Sequence, residues 1–222
     1  MKKPYVILSA AMSVDGKIAT RGGDSAYSDE EDWNRVHKLR SEVDAIMVGI
    51  NTILLDDSKL TSKQGKSPLR VVVDSKAKTP INARVITVRP EVETIIAVTS
   101  KASPERISNL QKKGAKILVC GDGEQVDLKK LMEKLSELDV KKLMLEGGGN
   151  INWGMLSKGL VDEIRIAISP VIVGGIEAVT LVEGEGFNRV SEGVNLELVN
   201  TEKVGKCLVL TYKILRNAER GY

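Results

Sequence analysis

The sequence predicts an α/β fold with a largely parallel central sheet, and three observations carry that reading. Runs rich in β-branched residues recur along the chain, and several are unbroken apolar stretches, as strands covered on both faces require. Segments with helical patterning and recognisable starts lie between them. The last two runs alternate apolar and polar residues around a glycine, the pattern of an antiparallel hairpin at a sheet edge.

In chain order, the strand-like runs are 5–12 (YVILSAAM), 44–48 (DAIMV), 69–74 (LRVVVD), 94–99 (TIIAVT), 115–120 (AKILVC), 142–146 (KLMLE) and 163–173 (EIRIAISPVIV). Ser28 precedes DEEDWNRVHKLR with Glu31 three residues on, which has the form of a capping box. Ser103 and Pro104 open PERISNLQKK, and Gly114 closes it. Asp127 is placed to cap LKKLMEKLSEL. Strand and helix thus alternate. NLELVNTEKVGKCLVLTYKIL then supplies the C-terminal antiparallel hairpin, turning near Lys203–Lys206. No linker, repeat or low-complexity tract divides the chain, so a single domain over residues 1–222 is expected.

Composition narrows the partners. The chain of 222 residues has 42% hydrophobic and 28% charged residues, ordinary values for a chain with one sizeable core. Aromatic residues make up 3%, so Val, Ile, Leu, Ala and Met must build that core. A net charge of +3, without a basic stripe or an RNP-like aromatic box, gives no footprint for nucleic acid. Cys120 and Cys207 form no C-x-x-C pair, which argues against structural zinc and fits a reducing compartment. The N-terminal apolar run is broken by Ser9, Ser13 and Asp15, so a cytoplasmic location is expected and not a signal peptide. No run approaches the roughly 20 apolar residues of a membrane span.

The first candidate site is LEGGGNINWGMLSKGLVDE, where a strand runs into Gly147, Gly148 and Gly149 and then into an amphipathic segment. Strand, glycine turn and helix is the arrangement in which backbone N–H groups and a helix N-terminus receive a phosphate. The spacing is neither G-x-G-x-x-G nor G-x-x-x-x-G-K-[ST], so the dinucleotide fingerprint and the P-loop are disfavoured. A plain tight turn is the alternative. A buried carboxylate at Glu146, where ligands of open α/β sheets gather, adds weight to a site.

A second candidate is VGINTILLDDSKLTSK. Thr52 and Asp56 are four apart, so a short helix would put both on one face. Together they could bind sugar hydroxyls or a carboxamide, or serve equally as a cap with a solvated acidic end. The Asp56–Asp57 pair lacks the third ligand that a magnesium site needs. A third segment, AMSVDGKIATRGGDSAYS, holds the Asp15-Gly16 turn and then Ser25 and Tyr27, on a loop that could act as a lid or simply be a surface loop. His37 is the one histidine, mid-helix, and no nucleophile motif points to it. The H-x-E and P-C-x-x-C signature of a zinc deaminase is absent. A chain without a visible nucleophile suits hydride transfer, where a cofactor carries the reaction and the protein positions.

Taken together, SVDGKIA, DAIMVGINTILLDDSKLT, PLRVVVDS and LMLEGGGNINWGMLSKGLVDEIRIAISPVIVGG resemble the riboflavin-pathway reductases over residues 4 to about 214. The resemblance implies the dihydrofolate-reductase-like fold, NADPH as cofactor, and reduction of a ribosylaminopyrimidine 5′-phosphate to its ribityl product. It implies cofactor contacts at Thr52, Asp56, Ser75, Gly147, Gly148, Gly149, Asn150 and Ile151. It puts Ser25, Arg40 and Lys63 at the substrate phosphate, Glu146 at the ribityl chain or base, and Tyr27 beside substrate or nicotinamide. Lys63 stands where bacterial relatives commonly have arginine, which keeps the charge and loses the bidentate fork.

Lys76 or Lys78 could reach a 2′-phosphate, while an inward Asp74 would argue for NAD. Asp15 is a candidate proton donor, set against a structural role in its turn. The stand-alone form implies the diamino substrate, reduced before deamination. The deaminated substrate, a pterin substrate and a non-catalytic dinucleotide-binding module are the rivals. A homodimer is expected from the family, with SPVIVGG and the terminal hairpin as its interface.

Overall fold

Runs without a polar side chain become strands buried on both faces. In β2 (Ala45–Gly49) the residues Ala45, Ile46, Met47 and Val48 are wholly shielded from solvent, and β4 (Thr94–Val98) is buried throughout. The computed structural model describes residues 2–216; residue 1 and residues 217–222 of the expected single domain lie outside the described residues.

The described chain forms two compact units, one built on His37–Leu145 with the N-terminal residues to Tyr5, the other on Val6–Val36 and the chain from Glu146 onward. In the first, β3 (Leu69–Val73), β5 (Lys116–Val119) and β6 (Lys142–Leu145) join β2 and β4 in the order β5-β4-β3-β2-β6, every neighbour parallel. Parallel neighbours need crossovers. These contain α2 (Ile50–Asp56), α3 (Arg84–Thr87), α4 (Pro104–Lys112) and α5 (Leu128–Glu137).

The expected starts of α4 and α5 are present. Ser103 Oγ accepts from Arg106 N–H at 3.4 Å with Pro104 next in line, and Asp127 accepts from Lys129 and Lys130 N–H at 2.9 and 3.2 Å. The expected cap of α1 (Glu30–Glu42) needs correcting. Asp29, one residue later than Ser28, accepts from Asp32 N–H at 3.0 Å, and Ser28 instead donates to the Asp32 carboxylate. A carboxylate at the cap position outcompetes the hydroxyl beside it because it also meets the helix dipole.

In the second unit, β1 (Tyr5–Ser13) pairs parallel with β7 (Glu163–Ser169), from Ile7 opposite Glu163 to Ser13 opposite Ser169. β7 pairs antiparallel with β9 (Cys207–Ile214), and β9 with β8 (Leu196–Val204). The hairpin turns at Gly205–Lys206, as expected. β7 stops at Ser169, short of the expected residue 173, because Pro170 cannot donate to a ladder. β8 is exposed along nearly its whole length.

The sequence gives no hint of Arg70, a wholly buried arginine in β3. Its guanidinium donates to the carbonyls of Val88, Arg89 and Val92, and burial pushes its pKa down to about 10. It knots the 88–92 loop to the strand.

Candidate functional site

In the first unit, the C-terminal strand ends carry most of the polar residues that the sequence singles out. Thr52, half-buried, and Asp56, exposed, lie four apart on α2 as expected. Desolvation raises the Asp56 carboxyl above its ordinary range although the residue is exposed by area, which reflects crowding around it. Asp57 Oδ1 accepts from Arg84 N–H at 2.8 Å, at the first residue of α3. Among the described residues, no group of three or more His, Cys, Asp or Glu is arranged to hold a metal ion.

Ser75 follows β3, and its Oγ accepts from Val126 N–H at 3.1 Å, while its carbonyl takes the N–H and Oγ1–H of Thr99. Asp74 is 1% exposed and turned into its own loop, its Oδ2 accepting from Thr79 N–H at 2.6 Å and Thr79 Oγ1–H at 2.7 Å. Its other oxygen, Oδ1, is buried without a hydrogen-bond partner among the described residues. Lys76 and Lys101 both reach Glu124, at 3.1 and 2.7 Å.

Arg40 and Lys63 are drawn together on the same unit. Arg40, in the last turn of α1, is buried, and its Nη1 donates to the Thr61 carbonyl at 2.9 Å. Ser62 Oγ donates to the His37 carbonyl at 2.9 Å, and Lys63 N–H donates to His37 Nδ1 at 3.4 Å. The single histidine therefore staples the loop of exposed Lys63 to α1; its place is structural.

In the second unit, Glu146 follows β6 and is half-buried, where full burial was expected. Gly147 adopts φ +86°, a conformation suited to glycine. Gly148 is the N-cap of α6 (Gly149–Ser157), and α6, unlike α4 and α5, has no side-chain cap hydrogen bond. Its first turn holds Gly149, Asn150 and Ile151. Gly149 must be glycine for a packing reason: a Cβ there would lie 2.5 Å from Glu183 Cγ and 2.6 Å from the Thr180 carbonyl oxygen. Asn150 Nδ2 donates to Glu183 Oε2 at 2.7 Å. Asn152, wholly buried, donates from Nδ2 to the Leu181 carbonyl at 2.8 Å. Trp153 on the same helix packs edge-on against Phe187, centroids 5.0 Å apart.

The segment 178–183 is also tied to the loop after β1. Leu181 N–H donates to the Gly16 carbonyl at 3.0 Å, and Ile18 N–H to the Val179 carbonyl at 2.8 Å. Asp15 accepts from the N–H groups of Val173 and Gly174 at 3.0 and 2.7 Å. These bonds, chiefly the one from Val173, lower its pKa from 3.8 to about 2, so it stays ionised at neutral pH. That is the behaviour of a loop anchor. Tyr27 is 6% exposed, and burial, ahead of the charges of Asp15 and Asp24, raises its phenol pKa. It lines a cleft of about 290 Å³ with Thr20, Asp24, Ser169, Val173 and Lys206. Ser25 is exposed on the same loop.

Sequence reasoning missed Asn152 and Glu183. Asn152 shares a helix face with buried Met155 and Leu156, which is a readable signal. Glu183 comes from a remote irregular segment and has no local signal beyond the glycines at 184 and 186.

Chemically, an uncapped helix start after a glycine turn suits a phosphate-bearing ligand, and a half-buried carboxylate beside it suits a polyol. The family described as RibD C-terminal domain matches residues 4–210. The chain is 49% identical over 217 residues to a protein of Methanothermobacter thermautotrophicus named 2,5-diamino-6-ribosylamino-4(3H)-pyrimidinone 5′-phosphate reductase, covering 96% of this chain and 99% of the relative. A protein of the same name from Aquifex aeolicus is 40% identical over 222 residues, covering 97% and 98%. Acinetobacter baumannii RibD superposes with a TM-score of 0.83 at 22% identity, covering 96% of this chain and 58% of that one. That likeness bears out the expected dihydrofolate-reductase-like fold, a mostly parallel sheet with antiparallel C-terminal strands. With the match running nearly end to end, this chain belongs to the RibD C-terminal domain family.

Proposed function

We propose that this chain reduces 2,5-diamino-6-(ribosylamino)-4(3H)-pyrimidinone 5′-phosphate to its ribitylamino product, with NADPH as reductant, in riboflavin biosynthesis. The observation that carries the reading is the 49% identity over 99% of a reductase so named. When bound, the nicotinamide cofactor supplies the hydride, which the ring-opened imine form of the substrate accepts at C1′.

The chain's own residues bind and orient. The glycine turn Gly147–Gly149 with Asn150 and Ile151 receives the cofactor's diphosphate, a role supported by the absence of a side-chain cap on α6. Thr52, Asp56 and Ser75 hold the rest of the cofactor. Asp74, buried with its Oδ2 turned to Thr79, is compatible with NADPH. Arg40, Lys63 and Ser25 hold the substrate phosphate, Glu146 its ribose-derived chain, and Tyr27 lies beside the ring. Asp15, ionised, shapes the loop and supplies no proton. The same reading has one reductase domain working in the cytoplasm as a homodimer. The exposed Leu198, Val199 and Leu208 of the hairpin support an interface there, and light scattering of the purified protein checks it.

The test follows the loss of NADPH absorbance with the diamino substrate, its deaminated counterpart and dihydrofolate in parallel. Turnover with the diamino compound is expected; turnover with either of the others alone contradicts the assignment. Arg40→Ala is expected to raise the KM for the phosphorylated substrate about tenfold or more, with far less effect on the KM for NADPH. Equal effects on both would remove the phosphate role.

A further inference from the structure

The proposed roles leave the segment 178–183 unused, although it lies across the start of α6. Its backbone is fixed: Glu183 N–H donates to the Gly149 carbonyl at 3.2 Å, and Leu181 is held from both sides by Asn152 and Gly16. The Glu183 side chain stands against Gly149, and its carboxylate takes the Asn150 amide. A second observation lies beneath the turn. Asn152 is wholly buried against Gly147, whose Cβ, if it had one, would be 3.3 Å from Asn152 Oδ1. That oxygen has no hydrogen-bond partner among the described residues. A buried acceptor left open is costly.

We infer that Glu183 is an internal anion holding the place that the cofactor's diphosphate takes, and that it thereby sets how tightly the cofactor binds. The inference rests on the reading that the chain uses a nicotinamide dinucleotide. A carboxylate standing against the first turn of a helix is favoured by the helix dipole. It therefore stabilises the cofactor-free turn. A diphosphate brings more charge and more acceptor oxygens to the same place, and two anions do not share it. The Glu183 side chain swings away while its anchored backbone stays. Whatever Glu183 loses in that exchange is subtracted from cofactor affinity. Neutralising it therefore tightens binding, whereas a merely structural contact, once weakened, loosens the turn and weakens binding.

The experiment titrates the full-length protein with NADPH by calorimetry, as wild type and as Glu183→Gln, at low and high salt. Glu183→Gln is expected to bind about two- to fivefold more tightly at low salt, with the gain shrinking at high salt. Glu183→Ala, which removes the carboxylate altogether, is expected to shift affinity the same way and serves if the glutamine variant does not fold. Wild-type binding and turnover with unchanged or weaker binding in the variants overturns the inference and leaves the reductase reading standing. A wild type that binds neither NADPH nor NADH overturns both.

Discussion

Helices α5 and α6 begin in opposite ways. α5 starts at Asp127, whose carboxylate takes two of the open first-turn N–H groups. α6 starts at Gly148 with no side-chain cap, and a carboxylate from a distant segment stands against its first residue. The difference separates two kinds of polar group. Asp127, Asp74, Arg70 and His37 are bonded to nearby loop or helix groups and hold them in place. The start of α6 instead has against it a carboxylate from a distant segment, bonded to the Asn150 side chain.

The sharpest way to break the contrast is Gly149→Ala. The new Cβ would meet the Thr180 carbonyl at 2.6 Å, and a backbone oxygen cannot rotate out of the way. The expected loss is about 1–3 kcal/mol of stability, read by urea unfolding, together with a marked rise in the KM for NADPH. Asp127→Ala comes next: about 1 kcal/mol of stability is expected to go with its cap, with the KM for NADPH unmoved. A cofactor effect as large as that of Gly149→Ala would erase the distinction between the two helix starts.

Asp15→Asn is the smallest change. Asp15 caps the backbone of Val173 and Gly174 much as Asp127 caps α5. Its folded pKa is lowered from 3.8 to about 2, so the stabilisation it gives is present above pH 3.8 and is lost as pH falls through about 2. The variant is expected to be modestly less stable than wild type at neutral pH, and the two to converge near pH 2 in acid unfolding curves.

How much of this was legible in the sequence depends on the range of the cause. The buried strands follow from their own residues, because covering both faces demands unbroken apolar runs such as Ala45–Val48. The caps Ser103 and Asp127 act within three residues and were readable for the same reason. Ser28 misled because Asp29, beside it, is the better acceptor. Glu146 looked buried because it ends an apolar run, yet the strand stops one residue earlier. The partner of Gly149 was out of reach, since Glu183 arrives from 34 residues away along an irregular segment. Arg70 was hidden inside an apolar run, and its three carbonyl partners lie 18 to 22 residues on.

The most direct test of the account is the fate of the hydride. The diamino substrate is incubated with the enzyme and NADPH carrying deuterium at nicotinamide C4, on each face in turn, and the product is read by NMR. The expected result is deuterium at C1′ of the ribityl chain from one face alone, with the two ring amino groups retained. Product without label at C1′, or label appearing only with the deaminated substrate, would contradict it.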